Sequence, residues 1–170
     1  MPTLAHQILE YAAQLPEGAP LVAKGLLHLS ERAAVDQALS RLVKRAALLR
    51  AGRGVYALPV VNRFDARAPS SAKMVEGMAL QRGETIVSHG AGAANALGLT
   101  TQVPMRAIYL TSGRSRSLKL GAQVIELRHA PAWQQILPWQ AAGDVIRALA
   151  WLGPEKAGMA ISTLRAPPPR

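Results

Sequence analysis

One stretch, Ser30 to Pro59, constrains the fold more than any other part of the chain. In its first half, apolar residues recur at the spacing of one face of an α-helix: Val35, Ala38, Leu39, Leu42, Val43 and Ala46. Ser30 is a natural N-cap, because its hydroxyl can accept from free backbone N–H groups. Two short β-prone runs follow, joined by Gly52-Arg53-Gly54, which predicts a hairpin with an arginine at its tip. This order of elements is the layout of a winged helix-turn-helix.

The opposite face of this predicted helix is basic. A face of this kind is most often simply solvated, so the helix alone would not indicate a nucleic-acid partner. The hairpin favours a nucleic-acid partner over a merely solvated face. Arg53 between two glycines has little to pack on and can reach a phosphate or the minor groove. We therefore expect DNA contacts from Ser30, Arg32, Gln37, Arg41, Lys44, Arg45 and Arg53.

The overall charge agrees with a polyanionic partner. Twenty Lys and Arg residues oppose ten Asp and Glu residues, which gives a net charge of +10. The chain has no apolar run long enough to span a membrane and does not open with a signal peptide. It has no cysteine, so disulfides and thiolate metal sites are excluded. These features predict a cytoplasmic protein.

Turn signals divide the chain into two domains and predict an α+β fold. Residues 1–59 form the winged helix-turn-helix, with helices expected over 3–15 and, less regularly, over the apolar run 21–29. Residues 60–71 form a polar connector, residues 72–153 an α+β domain with a mostly antiparallel sheet, and residues 154–170 a frayed tail.

The second domain is expected to alternate helices and short strands. A helix capped by Ser70 or Ser71 is predicted to run to about residue 81 and to be ended by Gly83. Further helices are predicted over 88–98 and 141–152, and strands over 84–87, 106–111, 114–120 and 123–128. The apolar side of the last helix is expected to consist of Val145, Ile146, Leu149 and Leu152.

Few residues suggest catalysis. Residues 90–95 (GAGAAN) resemble a nucleotide-binding turn, but Asn95 stands where the motif has its third glycine or an alanine, and no acidic residue follows about twenty positions on. Small residues that allow close helix–sheet packing are the simpler interpretation. His89 and His129 have no acidic partner in a recognisable register. We predict no enzyme activity, no cofactor and no metal. Arg114, Arg116 and Lys119 are either additional basic contacts or a solvated sheet face.

Several segments together resemble a known protein family. They are RGVYALP (53–59), RFDARAPSS (63–71), SHGAGAANALGLTTQVP (88–104), YLTSGRSRSLKLG (109–121), IELRHAP (125–131) and ALAWLG (148–153). With the helix that precedes them, these segments look like the AbiEi-type antitoxins of type IV toxin–antitoxin systems. The resemblance runs from about Thr3 to Gly153. One departure is Ala46-Ala47 at the helix-to-wing turn, where a glycine is expected.

The resemblance implies a function in two parts. The N-terminal winged helix would bind operator repeats in double-stranded DNA and repress the operon, through the helix containing Ser30, Arg32, Gln37 and Arg41 and through the wing at Arg53. The C-terminal domain would counter a nucleotidyltransferase-type toxin. The alternative is a stand-alone regulator whose second domain dimerises or senses a ligand, and a small enzyme is a distant third.

Overall fold

The computed structural model of the chain describes residues 1–166, and these residues confirm the α+β class. In chain order the elements are α1 (Leu4–Gln14), β1 (Leu21–Val22), a 3-10 helix (Ala23–Leu26), α2 (Arg32–Lys44), β2 (Leu49–Gly52), β3 (Val55–Ala57), β4 (Val60–Val61), β5 (Ala66–Arg67), α3 (Ser71–Arg82), β6 (Ile86–Ser88), α4 (Gly90–Ala96), β7 (Ala107–Thr111), β8 (Arg116–Leu120), β9 (Gln123–His129), a 3-10 helix (Ala132–Gln134), α5 (Ala141–Leu152) and α6 (Pro154–Arg165).

The strands form three sheets. Their orders are β1-β3-β2, β4-β5 and β6-β7-β9-β8. Strand β3 pairs antiparallel with both β1 and β2, and β4–β5 and β6–β7 are antiparallel as well. The predicted 60–71 connector therefore contains a hairpin of its own.

The chain divides into two compact units, but not where the sequence predicted. The first unit is Met1–Gly83 with Ser117–Ile125, and the second is Glu84–Arg116 with the chain from Glu126 onward. Helix α3, which was assigned to the second domain, belongs to the first unit. The Gln81 amide donates to the carbonyl of Pro20 over 2.7 Å. Lys73 pairs with Glu17 at 3.1 Å, and these long-range contacts could not be read from local patterns.

The core of the first unit is aliphatic and joins α1, α2 and the first sheet. Ile8, Leu21, Leu26, Val35 and Leu39 are all completely or almost completely buried in it. Helix α1 lies within its predicted range of 3–15, and the Thr3 side chain caps it by accepting from the backbone N–H of His6. The apolar run 21–29, however, is a two-residue strand followed by a 3-10 helix, because β1 must extend to pair with β3.

The helix caps were predicted with mixed success. Ser70 caps α3 and accepts from the backbone N–H of Lys73, and Gly83 ends that helix with φ 63°. Ser30, by contrast, is not the N-cap of α2. That position is Glu31, whose side chain makes no capping hydrogen bond. The chain is still turning at Ser30, so the helix begins one residue later than a Ser30 cap requires.

The C-terminal helices differ from the sequence prediction in two ways. Helix α5 buries Gly143, Arg147 and Ala148, whereas Val145, Ile146, Leu149 and Leu152 are only half-buried. The predicted frayed tail contains α6, which has Pro154 at its first position, Glu155 in its first turn and Arg165 in its last. Residues 167–170 of that predicted tail lie outside the described residues.

Candidate nucleic-acid interface

Helix α2 has one buried face and one basic exposed face. Val35, Ala38, Leu39 and Leu42 face the core of the first unit. The predicted contact residues Arg32, Gln37, Arg41, Lys44 and Arg45 are all exposed. Ser30 is half-buried just before the helix. The 3.6-residue period thus places the long polar side chains on the face away from the core.

The end of α2 turns the chain sharply into the hairpin. Arg45 caps the helix, and Ala46 adopts φ 56°, a left-handed conformation that glycine normally occupies. The backbone N–H of Ala47 then donates to the carbonyl of Leu42 over 2.9 Å. The turn where the resemblance led us to expect a glycine is therefore made by an alanine at a positive φ.

The β2–β3 hairpin presents Arg53 at its tip. Strands β2 and β3 pair with an irregularity between Arg50 and Gly52, and Arg53 and Gly54 form the connection. Gly54 has φ 69°, and its carbonyl accepts from the backbone N–H of Ala23 over 2.9 Å. The hairpin is thereby tied to the chain before α2, while the Arg53 side chain stays exposed.

Most of the predicted contact residues have no carboxylate partner in the described part of the chain. The exception is Arg32, whose Nε lies 2.9 Å from Asp36 Oδ2 in an exposed pair of a kind that contributes little stability. Within residues 1–166, Gln37, Arg41, Lys44, Arg45 and Arg53 make no side-chain hydrogen bond or ion pair. Sequence reasoning missed Arg50, which is exposed on β2. The signal for it in the sequence was the alternation of charged Arg50 with apolar Leu49 and Ala51 in a β-prone run.

The three additional basic residues do not form one solvated face. Arg114 and Lys119 are exposed, but Arg116 shares the inward face of β8 with Leu118 and Leu120. Arg116 Nη2 lies 2.6 Å from Glu84 Oε2, and the Thr111 hydroxyl donates to the same oxygen over 3.1 Å. Arg116 is thus bound by a carboxylate distant in sequence, and only Arg114 and Lys119 of the three are exposed.

The glycine- and alanine-rich segment serves helix packing. A Cβ at Gly90 would lie 2.5 Å from Trp151 Cβ and 2.6 Å from the Arg147 carbonyl oxygen. Ala93 and Ala94 pack against Ala148 in the same place. The close approach is thus between α4 and α5, rather than between a helix and a sheet.

The histidines have structural partners. His89 caps α4 by accepting from the backbone N–H of Ala91, and burial, together with the nearby Arg128 guanidinium, lowers the pKa of His89. His129 Nδ1 lies 2.9 Å from the carbonyl oxygen of Gly113. No cluster of three His, Cys, Asp or Glu side chains that could hold a metal occurs in the described part of the chain.

Asn95 shapes the loop that follows α4. Its amide nitrogen donates to the carbonyl of Gln102 over 3.0 Å and to that of Thr100 over 3.4 Å. These bonds tie the loop through Thr100 and Gln102 to the end of α4. They give Asn95 a structural role that the sequence did not reveal.

Comparison with known proteins gives one family. Among residues 1–166, none of the helices combines the length and apolar character that a membrane crossing requires. Searches of curated proteins and of solved structures each returned no match. Residues 7–163 match the profile described as "Family of unknown function (DUF6088)". Because this match covers most of the chain, the protein belongs to the DUF6088 family.

Proposed function

We propose that this protein is a cytoplasmic, non-enzymatic DNA-binding regulator whose N-terminal unit is a winged helix-turn-helix. One observation carries the proposal: the exposed side chains of α2 and of the β2–β3 tip include Arg41, Lys44, Arg45 and Arg53, and none of these cations has a carboxylate partner among residues 1–166. Unpaired cations on a helix face and an adjacent hairpin tip are suited to a phosphate backbone.

The order of elements supports the same proposal. A helix, a strand, a short 3-10 helix, the basic helix and a hairpin follow one another, and the sheet order is β1-β3-β2. The major groove admits an α-helix, so α2 would enter it and the β2–β3 hairpin would act as the wing. Arg41 would bond to guanine O6 and N7, and Arg53 would contact a phosphate or the minor groove.

We further propose that the protein is an antitoxin that represses its own operon and counters a nucleotidyltransferase-type toxin. The support for this part is the resemblance carried by segments such as 88–104 and 109–121. Both proposals place operator DNA at the first unit, but only the antitoxin proposal requires a toxin partner.

The DNA-binding proposal can be tested without knowing the operator. Duplexes should be selected from a random-sequence library with the full chain, and their affinity measured across a range of salt concentrations. If about five phosphates are neutralised, log K should fall with a slope of about −4 to −5 against log salt. Failure to enrich any duplex, or an affinity that hardly changes with salt, would contradict the proposal.

The antitoxin proposal needs a separate experiment. The neighbouring reading frame should encode a nucleotidyltransferase, and the chain should rescue growth when co-expressed with that enzyme. We expect a variant with Arg41→Ala and Arg53→Ala to lose repression of a promoter reporter yet still rescue growth. Loss of rescue by this variant in its folded state would contradict the assignment of the two activities to separate parts. Absence of a toxin gene would leave a regulator without antitoxin activity.

A further inference from the structure

The β4–β5 hairpin presents an aromatic side chain to solvent. Phe64 is the only phenylalanine of the chain and is 92% exposed. It lies at the tip of the hairpin, between Val61 and Ala66 of the paired strands. In a protein with so few aromatic residues, this one lies outside the core of the first unit, which is built from aliphatic side chains and Tyr56.

The turn that carries Phe64 is held by local hydrogen bonds. Asn62 Oδ1 accepts from the backbone N–H groups of Phe64 over 3.1 Å and of Asp65 over 2.9 Å. The backbone N–H of Asn62 donates to the carbonyl of Asp65, and Asp65 Oδ1 accepts from the N–H of Ala66. These bonds fix the backbone on both sides of Phe64. Little conformational freedom of the turn would therefore be lost when the ring binds a partner.

The surroundings of Phe64 are basic. Arg63 and Arg67 are exposed and make no ion pair within the described residues. The one carboxylate of the hairpin, Asp65, is turned toward the backbone N–H of Ala66. The hairpin also follows closely on the proposed wing, since β4 begins at Val60 and β3 ends at Ala57.

A single exposed apolar residue is ordinary and would need no explanation by itself. The combination is more informative, because a fixed aromatic tip between two unpaired arginines joins an apolar wedge to two phosphate-binding groups. Proteins that bind the minor groove insert such wedges between base pairs while cations hold the backbone. A protein partner is less well matched, because the net charge of +10 favours a polyanion.

We propose that the β4–β5 hairpin is a second DNA contact, in which Phe64 inserts between base pairs from the minor groove and Arg63 and Arg67 bind the flanking phosphates. This inference rests on the proposed function, since it requires that the first unit binds duplex DNA. It adds a contact that lies outside both α2 and the β2–β3 hairpin.

The test compares two exposed apolar residues of the same unit in the full chain. Phe64→Ala is compared with Leu80→Ala, because Leu80 is 81% exposed on α3 and lies outside the hairpin. The probe is a duplex recovered with the parent protein from a random library, carrying 2-aminopurine at one base step at a time. We expect Phe64→Ala to weaken binding about tenfold, as loss of an aromatic stack does, and Leu80→Ala to leave it unchanged.

Unstacking gives the second measurement. The parent protein should raise 2-aminopurine fluorescence at one step, and Phe64→Ala should abolish that rise. Equal binding by Phe64→Ala and the parent would overturn the inference alone and would favour a protein partner for the exposed ring. Weaker binding with an unaltered fluorescence rise would also overturn it. If the parent recovers no duplex, the proposed function itself fails.

Discussion

The two units differ in how their basic side chains are used. The first unit has twelve Lys and Arg residues, and two of them, Arg32 and Lys73, form ion pairs. The second unit has seven up to Arg165, and four of them are paired. Those four are Arg106 and Arg128 with Glu126, Arg116 with Glu84, and Arg147 with Asp144. Within residues 1–166, unpaired positive charge is therefore concentrated in the first unit.

This difference shows that net charge alone does not locate a polyanion-binding surface. The arginines of the segment RSRS (114–117) and those around α2 look alike in sequence. One of the former, Arg116, donates to the Glu84 carboxylate, which is thirty-two positions away in the sequence. Arg41 and Arg53, by contrast, have no carboxylate partner among residues 1–166. Variants can therefore test whether pairing separates structural from binding arginines.

The largest effect on stability is expected for Arg147→Ala. The Arg147 side chain is only 1% exposed and donates to the carbonyls of Gln134 and Ile136 and to the Asp144 carboxylate. Its removal leaves these acceptors without their donor and should lower the free energy of unfolding by about 3 kcal/mol or more. All three tryptophans lie in the second unit, so their fluorescence during urea unfolding reports this loss. Arg165→Ala, on an exposed residue, is the control, and equal midpoints for the two variants would contradict the prediction.

The second prediction concerns the unpaired arginines. Arg41→Ala combined with Arg53→Ala should weaken binding to a selected duplex about 100-fold, because a base contact and a phosphate contact are lost together. Neither residue belongs to the buried face of α2, so the free energy of unfolding should stay within about 0.5 kcal/mol of the parent value. The measurements are a binding titration and a urea unfolding curve.

Its control removes the same charge from the other unit. Arg106→Ala with Arg165→Ala should leave affinity almost unchanged at moderate salt, because neither residue lies on the proposed surface. If both double variants lose affinity equally, binding depends on total charge, and the comparison between the units has no functional meaning.

Local patterns were sufficient for the elements whose signals are contiguous. The α+β class, the helix α1, and α3 with Ser70 and Gly83 at its ends followed from apolar spacing and cap residues. Strand β7 and helix α5 were also found close to their predicted bounds. Within the candidate site, the exposed side of α2 and the position of Arg53 were predicted, because helical period and hairpin chemistry determine both.

The features of the fold and of the site that local patterns did not predict depend on contacts between residues distant in sequence. The run 21–29 is apolar enough for a helix, but its first two residues form β1 because they pair with β3. In the sequence, nothing near Arg116 indicates that Glu84 lies beside its guanidinium in the fold. In α5 the buried face contains Gly143 because a Cβ there would meet the Ile136 and Leu137 carbonyls, and no periodicity reveals such an approach.

A smaller effect is expected at the turn between α2 and the hairpin. Ala46 has φ 56°, which strains an alanine but suits glycine. Ala46→Gly should therefore raise the free energy of unfolding of the first unit by about 0.5 kcal/mol, despite the greater freedom of glycine in the unfolded chain. The control is Ala33→Gly, on an exposed helical residue, which should lower the free energy instead. Far-ultraviolet circular dichroism during thermal unfolding measures both, and a lower midpoint for Ala46→Gly would contradict the prediction.

The smallest effect is expected for the pH dependence at His89, which is half-buried in the second unit. Burial, and secondly the Arg128 guanidinium, lower the pKa of His89. As pH falls through about 6.5, the unfolded chain takes up a proton that the folded chain resists, so the free energy of unfolding decreases. His89→Asn keeps an acceptor for the Ala91 N–H but removes the titration, because asparagine is also a good N-cap. Tryptophan fluorescence should show a shallower loss of stability for this variant than for the parent between neutral and mildly acidic pH. An identical loss in both proteins would mean that other groups govern the acid sensitivity of the second unit.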